Sequence, residues 1–312
     1  MLLKQLIEVY DILDAPDASG AQAEAYLKSI DPQADVKVWP LEGPKGVTDM
    51  IRIVIPGKKG KRRGGDAPTL GILGRLGGIG ARPEVTGFVS DGDGALAALT
   101  AAAKLLDMHR RGDVLDGDVV VSTHICPCAP TREHHPVPFM DSPVEMAQVN
   151  REEVSDELDA ILSIDTTKGN RIINKRGFAI SNTVKDGYIL RVSEDLLSIM
   201  ERVTGQLPAV FALSTLDITP YGNDLYHLNS ILQPCTATSA PVVGVAIVTE
   251  VAVAGCATGA CSFTDVEAAA RYAVETAKDF GAGKCSFYDE AEFEKAVKRY
   301  GSMAHLQTMG NV

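Results

Sequence analysis

Strand-length apolar runs alternate with stretches of helical period along these 312 residues. This pattern predicts an α/β chain, a three-layer αβα sandwich around a mixed, mostly parallel central sheet. Runs such as 119-VVVST and 241-PVVGVAIVTEV-251 are apolar throughout, as strands covered on both faces must be. The 45% hydrophobic composition can fill one large core, and no repeat or linker-like boundary divides it. A single domain over 1–312 is expected, with a helical tail from 284 to 312.

Residues 2–14 read as an amphipathic helix, with Leu3, Leu6, Ile7, Tyr10 and Leu13 on one stripe. Ser19 is placed to cap a second helix over 20–30. Strands are expected at 34–40, 50–56 and 69–76. A glycine-dense stretch over 77–94 leads into a long helix, GALAALTAAAKLLDMHRRG, with small residues on its packing face. After VVVST come strand-like runs at 158–165, 171–180, 187–192 and 208–217, and a helix over 194–204. The last long helix is announced by Thr264-Asp-Val-Glu267, a capping-box spacing in which hydroxyl and carboxylate satisfy first-turn amides reciprocally. Gly281 and Gly283 mark its end, and 289-DEAEFEKAVKRY-300 reads as a charged amphipathic helix.

The formal charge of −11 argues against a phosphate-backbone partner. The one basic cluster, 58-KKGKRRGG-65, is flanked by glycine and reads as a solvated hairpin tip. The N-terminus, MLLKQLIEVYDILD, has acids interspersed at helical period, unlike a signal peptide, and no run reaches spanning length. A cytoplasmic protein without a membrane partner is the expectation. Six cysteines without a secretion signal do not suggest a disulfide framework, and Cys235 and Cys285 suit plain core packing.

Chemistry is expected beyond the carboxyl ends of the strands. In His124-Ile125-Cys126-Pro127-Cys128 the first, third and fifth side chains share a face if the chain stays extended, and the prolines favour extension. With His134 and His135 downstream, this is a soft-donor metal cluster, although not a standard zinc-ribbon spacing. Buried thiols beside a surface histidine are the plainer reading. Asp91 and Asp93 open the 94–110 helix, where capping explains one carboxylate and a hard ligand to a divalent ion would explain both. The glycines before them lack any nucleotide-binding spacing.

The stretch 87-GFVSDGDGALAALTAAAKLL-106 resembles the co-catalytic zinc peptidases, the aminopeptidase, carboxypeptidase and deacylase superfamily. So do 12-ILDAPDASGAQAEAYLKS-29, the strand-plus-acid 158-LDAILSID-165, the Gly-Asn-Asp at 222–224 and the helix TDVEAAARYAVETAKDF. The chain also looks like a narrower family of about 300 residues that shares the cysteine-rich loop. The resemblance implies a zinc-peptidase-like fold without the inserted dimerisation domain, and self-association into a homo-oligomer. It further implies that Asp91 bridges metal ions, that Asp165 is a terminal metal carboxylate, and that Asn223 and Asp224 with His227 line a substrate pocket. The departures are as telling. The family's His-x-Asp is here Arg75-Leu76-Gly77. Its Thr-x-x-Glu-Glu is replaced near Thr123, and its late histidine falls near Cys256 and Cys261.

Three functions follow. The first is a divalent-metal hydrolase, zinc being the first choice, acting on an amide or peptide-like small substrate. Its ligands would be Asp91, Asp165, His124, Cys126, Cys128 and Cys256, with Glu133 or His134 as general base. The second is a metal-free enzyme with a Cys126 or Cys128 nucleophile, its pKa lowered by His124 or Arg75. The third is a non-catalytic protein that binds a small molecule or peptide on a peptidase scaffold. Arg75 would pair with Asp91 or Asp165 in a metal's place, clamp a substrate carboxylate, or form a structural ion pair.

Overall fold

The computed structural model describes residues 2–75, 87–133, 139–167, 169–252 and 261–310. Its strands are β1 (Asp35–Gly43), β2 (Gly46–Ile55), β3 (Leu70–Gly74), β4 (Val119–Ile125), β5 (Thr131–Arg132), β6 (Phe139–Met140), β7 (Ala160–Thr167), β8 (Gly177–Ile180), β9 (Val184–Lys185), β10 (Tyr188–Ile189) and β11 (Val242–Val248). Its helices are α1 (Leu3–Leu13), α2 (Gly20–Ile30), α3 (Asp93–Arg110), α4 (Met146–Glu153), α5 (Glu194–Thr204), α6 (Phe263–Gly281) and α7 (Glu290–Tyr300).

Nine strands form the main sheet in the order β1-β2-β4-β3-β7-β11-β9-β10, with β8 also paired to β11. The α/β sandwich expected from the sequence is therefore present. The four central strands, β4-β3-β7-β11, run parallel, and both flanks are antiparallel. β4 lies between β2 and β3, so the basic segment 58–65 is a crossover rather than the tip of a hairpin. It is held by ion pairs from Lys58 and Lys59 to Asp116, from Lys61 to Asp159 and from Arg62 to Glu157. The buried Asp118 carboxylate accepts from the Gly57 and Arg62 amides at 2.7 and 2.9 Å.

The period-2 alternation of the central strands separates two cores. Val119, Val121 and Ile125 of β4, with Ala160, Leu162 and Ile164 of β7, face the layer of α1, α2, α3, α5 and α6. Val120 and Ile161 face the opposite layer, which is made by short helical turns and irregular chain carrying Phe211, Ile218, Ile231 and Leu232. The helix α3 approaches the sheet closely: a Cβ on Gly94 would meet the Arg75 and Ile164 carbonyls, both at 2.5 Å. Glycine there lets the helix start directly above the ends of β3 and β7.

Several local expectations are corrected. The buried stripe of α1 runs through Leu6, Val9 and Leu13 with Leu2 just before it, while Ile7 is 48% exposed. Ser262, not Thr264, is the N-cap residue of α6, and Glu267 instead accepts from the Leu2 amide at 2.8 Å and pairs with Arg271. The run 208–217 is not a ladder strand; it holds one bridge, Ile180 to Val210, and then a 3-10 turn, Thr215–Ile218. The buried Asp217 explains that turn. Its carboxylate accepts from Ser214 N, Ser214 Oγ, Leu228 N and Asn229 N, which pulls the chain out of the sheet.

Candidate active site

Register brings Arg75, His124 and Asp165 together. Leu73 of β3 is level with Ser122 of β4 and Ser163 of β7. Two residues further on, Arg75 therefore stands between His124 and Asp165, and side chains two apart point to the same face. Neighbouring strands are about 4.8 Å apart, so the three side chains form a short row at the carboxyl edge of the sheet. All three are buried, at 2%, 4% and 0% exposure.

Above this row lies a cleft of about 1000 Å³. Asp91, His124, Met146, Asn150, Tyr221 and Ser230 are on its walls, and Lys45, Arg132 and Glu145 also line it. Asp91 sits in the 3-10 turn Ser90–Gly92, just before α3. Neither aspartate is the N-cap of α3: Gly92 holds that position and Asp93 is the first helical residue, fully buried, with its carboxylate 3.4 Å from Thr166 Oγ1.

Thr48 Oγ1 lies 2.9 Å from His124 Nδ1 and 3.1 Å from the Ile125 carbonyl. A hydroxyl that donates to the carbonyl accepts from Nδ1, which leaves the lone pair on Nε2, whereas one that donates to Nδ1 reverses the tautomer. Burial, with the Arg75 charge adding to it, pushes this imidazole down to about 3, so it is neutral at physiological pH. Asp165 moves the other way. Burial pushes its carboxyl up to about 7, against the Ser230 hydroxyl at 2.8 Å, the Thr166 amide at 2.7 Å and the Arg75 charge; Asp91 raises it further. Burial also raises the phenol of Tyr221, with Asp165 contributing and Ser230 opposing.

Arg75 pairs neither with Asp91 nor with Asp165. Its guanidinium forms an ion pair with Glu153, at the end of α4, and contacts the Met146 sulfur. Burial pushes the Glu153 carboxyl up to about 7 against the pull of Arg75. Glu153 was not legible as a site residue, because only the docking of α4 under the cleft brings it to β3.

The other expected residues are more dispersed. The ladder strand ends at Ile125, Cys126 still holds a β-bridge, and the chain turns at Pro127 and Cys128, so Cys128 leaves the extended run and the three side chains of the 124–128 stretch do not project together. The Cys126 thiol is buried, donates to the Val47 carbonyl at 3.6 Å and is pushed by burial up to about 11, whereas Cys128 is exposed. Neither lines the cleft. Glu133 is exposed; His134, His135 and Cys256 lie outside the described residues. In the 220–229 loop Asn223 bonds Thr219 Oγ1 at 2.9 Å and the Leu225 amide at 3.1 Å, Asp224 is exposed at φ 60°, and His227 Nε2 is 2.9 Å from the Thr219 carbonyl. Their neighbours Tyr221 and Gly222 are the residues on the cleft wall. Among the described residues, no three His, Cys, Asp or Glu side chains lie close enough together to enclose a metal ion. None of the helices in the described residues is long and apolar enough to cross a membrane.

The architecture is that of a peptidase-type α/β sandwich. The Caenorhabditis elegans leucine aminopeptidase LAP1 superposes with a TM-score of 0.51 at 12% identity, over 92% of this chain and 66% of its own. The bottromycin maturation enzyme BotP, in a structure with Mn, matches with a TM-score of 0.48 at 14% identity, over 86% of this chain and 70% of its own. This chain thus spans about two thirds of the length of these enzymes. The likeness is one of fold. The chain belongs to the family described as "Protein of unknown function (DUF1177)", which matches residues 40–310. A search of curated proteins found no match.

Proposed function

We propose that the protein is a hydrolase of an amide or peptide-like bond in a small substrate bound in the cleft over β3, β4 and β7, and that it works with a divalent metal ion. The observation that carries this reading is the row at the strand ends, where Arg75 stands between His124 and Asp165 and burial drives the two outer groups in opposite directions, His124 to the neutral imidazole and Asp165 up to about 7. The aminopeptidase-type fold supports it.

The donors fit a divalent ion in kind. A neutral imidazole in contact with a hydroxyl, and a carboxylate fixed by hydroxyl and amide donors, are usual donors to such an ion. Asp91, Asp165 and His124 do not come close enough together to enclose an ion as a set of three, so one or two of them, completed by water or substrate, would hold it, and it would polarise a substrate carbonyl and acidify a bound water. The chain's own groups do the remaining work. Ser230 and the Thr166 amide donate to the Asp165 carboxylate and fix its orientation. Arg75 supplies a fixed positive charge that favours its ionised form. Zinc, and assembly into a homo-oligomer, belong to the same proposal. Cys126, held as a thiol against Val47, is less suited than these groups to bind a metal or act as a nucleophile.

The test is metal content per chain on protein purified without chelator, then turnover of a panel of aminoacyl and N-acyl p-nitroanilides by stripped protein and by protein resupplied with zinc or manganese. Turnover restored by metal and reduced roughly a hundredfold or more in Asp165→Asn is expected. No turnover of any amide in either form would retire the proposal.

A further inference from the structure

The segment after α7 crosses the molecule and returns to the cleft. Gly301, at φ 81°, turns the chain out of the helix, and its carbonyl accepts from the Tyr188 hydroxyl at 2.5 Å. The chain then passes so close to the β9–β10 turn that a Cβ on Gly187 would sit 1.9 Å from the Met303 carbonyl. Gly187 itself has φ 80°, so only glycine serves there on both counts. A 3-10 turn, Ala304–Gln307, follows and packs Leu306 against the core under the cleft, and Gln307 donates its side-chain amide to the Cys235 carbonyl at 2.5 Å. These anchors place Gln307, Thr308 and Met309 on the cleft wall, beside Gln233 and Thr236.

We propose that residues 301–310 are a specificity strap. They form an end wall of the substrate cleft and limit how far a substrate can extend past Gln233 and Thr236. The proposal rests on the hydrolase reading for what the cleft accepts, but not for where the strap lies. A cleft of about 1000 Å³ with Gln307, Thr308 and Met309 on its wall is of a size for a small peptide-like molecule. Position along the wall divides the labour: Leu306 and Gln307 anchor the strap, while Met309, 57% exposed, meets the substrate.

The experiment compares the parent protein with Leu306→Ala/Gln307→Ala and with Met309→Ala. Turnover is read on p-nitroanilides of one, two and four alanine residues, and hydrogen exchange on the backbone of 233–237. The parent should lose turnover as the peptide lengthens. The double variant should raise four-residue relative to one-residue turnover roughly tenfold, with faster exchange at 233–237, and Met309→Ala should move the same ratio with exchange unchanged. Met309→Ala removes no anchor, so it decides the matter should the double variant not fold. An unchanged length profile in Met309→Ala overturns the proposal. If the parent turns over none of these substrates, the hydrolase reading fails on its own account. The seat of residues 301–310 on the cleft wall is then upheld by faster exchange at 233–237 in the double variant and overturned by unchanged exchange, while their role in specificity falls with the hydrolase reading.

Discussion

Arg75 and Glu153 form a buried ion pair, their side chains 2% and 0% exposed, that joins the end of β3 to the end of α4. Arg75 Nε and Glu153 Oε1 have no partner among the described residues, so each ion depends heavily on the other. Glu153→Ala should therefore destabilise the protein by about 3–5 kcal/mol, because it leaves a guanidinium buried and uncompensated. Replacing both, as Arg75→Met/Glu153→Leu, should recover most of that loss. Urea denaturation of the two variants decides it; equal losses would mean that the pair is not the unit that matters.

Asp165 should link stability to pH. Its carboxyl is raised from 3.8 to about 7, so between these values the folded chain holds a proton that the unfolded chain has released. Stability from this group is complete below about pH 4 and is lost as pH rises through about 7, by an amount on the order of 4 kcal/mol. Glu153 acts in the same direction, raised from 4.5 to about 7, whereas His124, lowered from 6.5 to about 3, makes stability rise with pH between those values. In chelator, Asp165→Asn should match the parent near pH 4 and exceed it near pH 8, since Asn cannot ionise. The same offset at both pH values would contradict the raised carboxyl.

His124 should show a neutral ring by nitrogen-15 NMR, with no protonation between pH 5 and 8. Thr48→Val removes the hydroxyl in contact with Nδ1. A loss of about 10–100-fold in metal affinity is expected, with the fold retained. Zinc titration against a competing dye would measure it, and unchanged affinity would remove His124 from the ligand set.

Asp217 holds the cleft-wall loop through four accepted hydrogen bonds. Asp217→Ala leaves those donors unsatisfied and should cost about 3 kcal/mol. Hydrogen exchange should quicken over 214–229 before it does in β7. Uniform quickening would make the role global rather than local.

Patterns with short range were the most legible. The helix 194–204 is bounded as its periodicity implies, with Ser193 as its cap, and Ser19 caps α2 as expected, Gln22 completing a capping box. The central strands were readable because parallel strands covered on both faces must be apolar throughout. What failed depends on distant partners. The 208–217 run has strand composition, but Asp217 finds donors eleven and twelve residues away. Glu267 has capping-box spacing, but a chain terminus more than 260 residues earlier claims its carboxylate. The candidate site divides in the same way. Asp165 and His124 were visible as polar residues ending apolar strands, whereas Glu153, Ser230 and Thr48 reach the site only through tertiary packing.

The strand order has a consequence for how the chain acquires its site. β3 hydrogen-bonds only to β4 and β7, and both follow it in sequence, by some fifty and ninety residues. While the protein is being synthesised, the apolar segment Leu70–Gly74 must wait for both neighbours, with Arg75 at its end and no Glu153 yet made to pair with it. Such long-range closure slows folding and leaves an unpaired strand exposed to other chains. The central position that sets Arg75 between His124 and Asp165 is thus also the most delayed in assembly, and destabilised variants of this edge should lose soluble yield before they lose secondary structure.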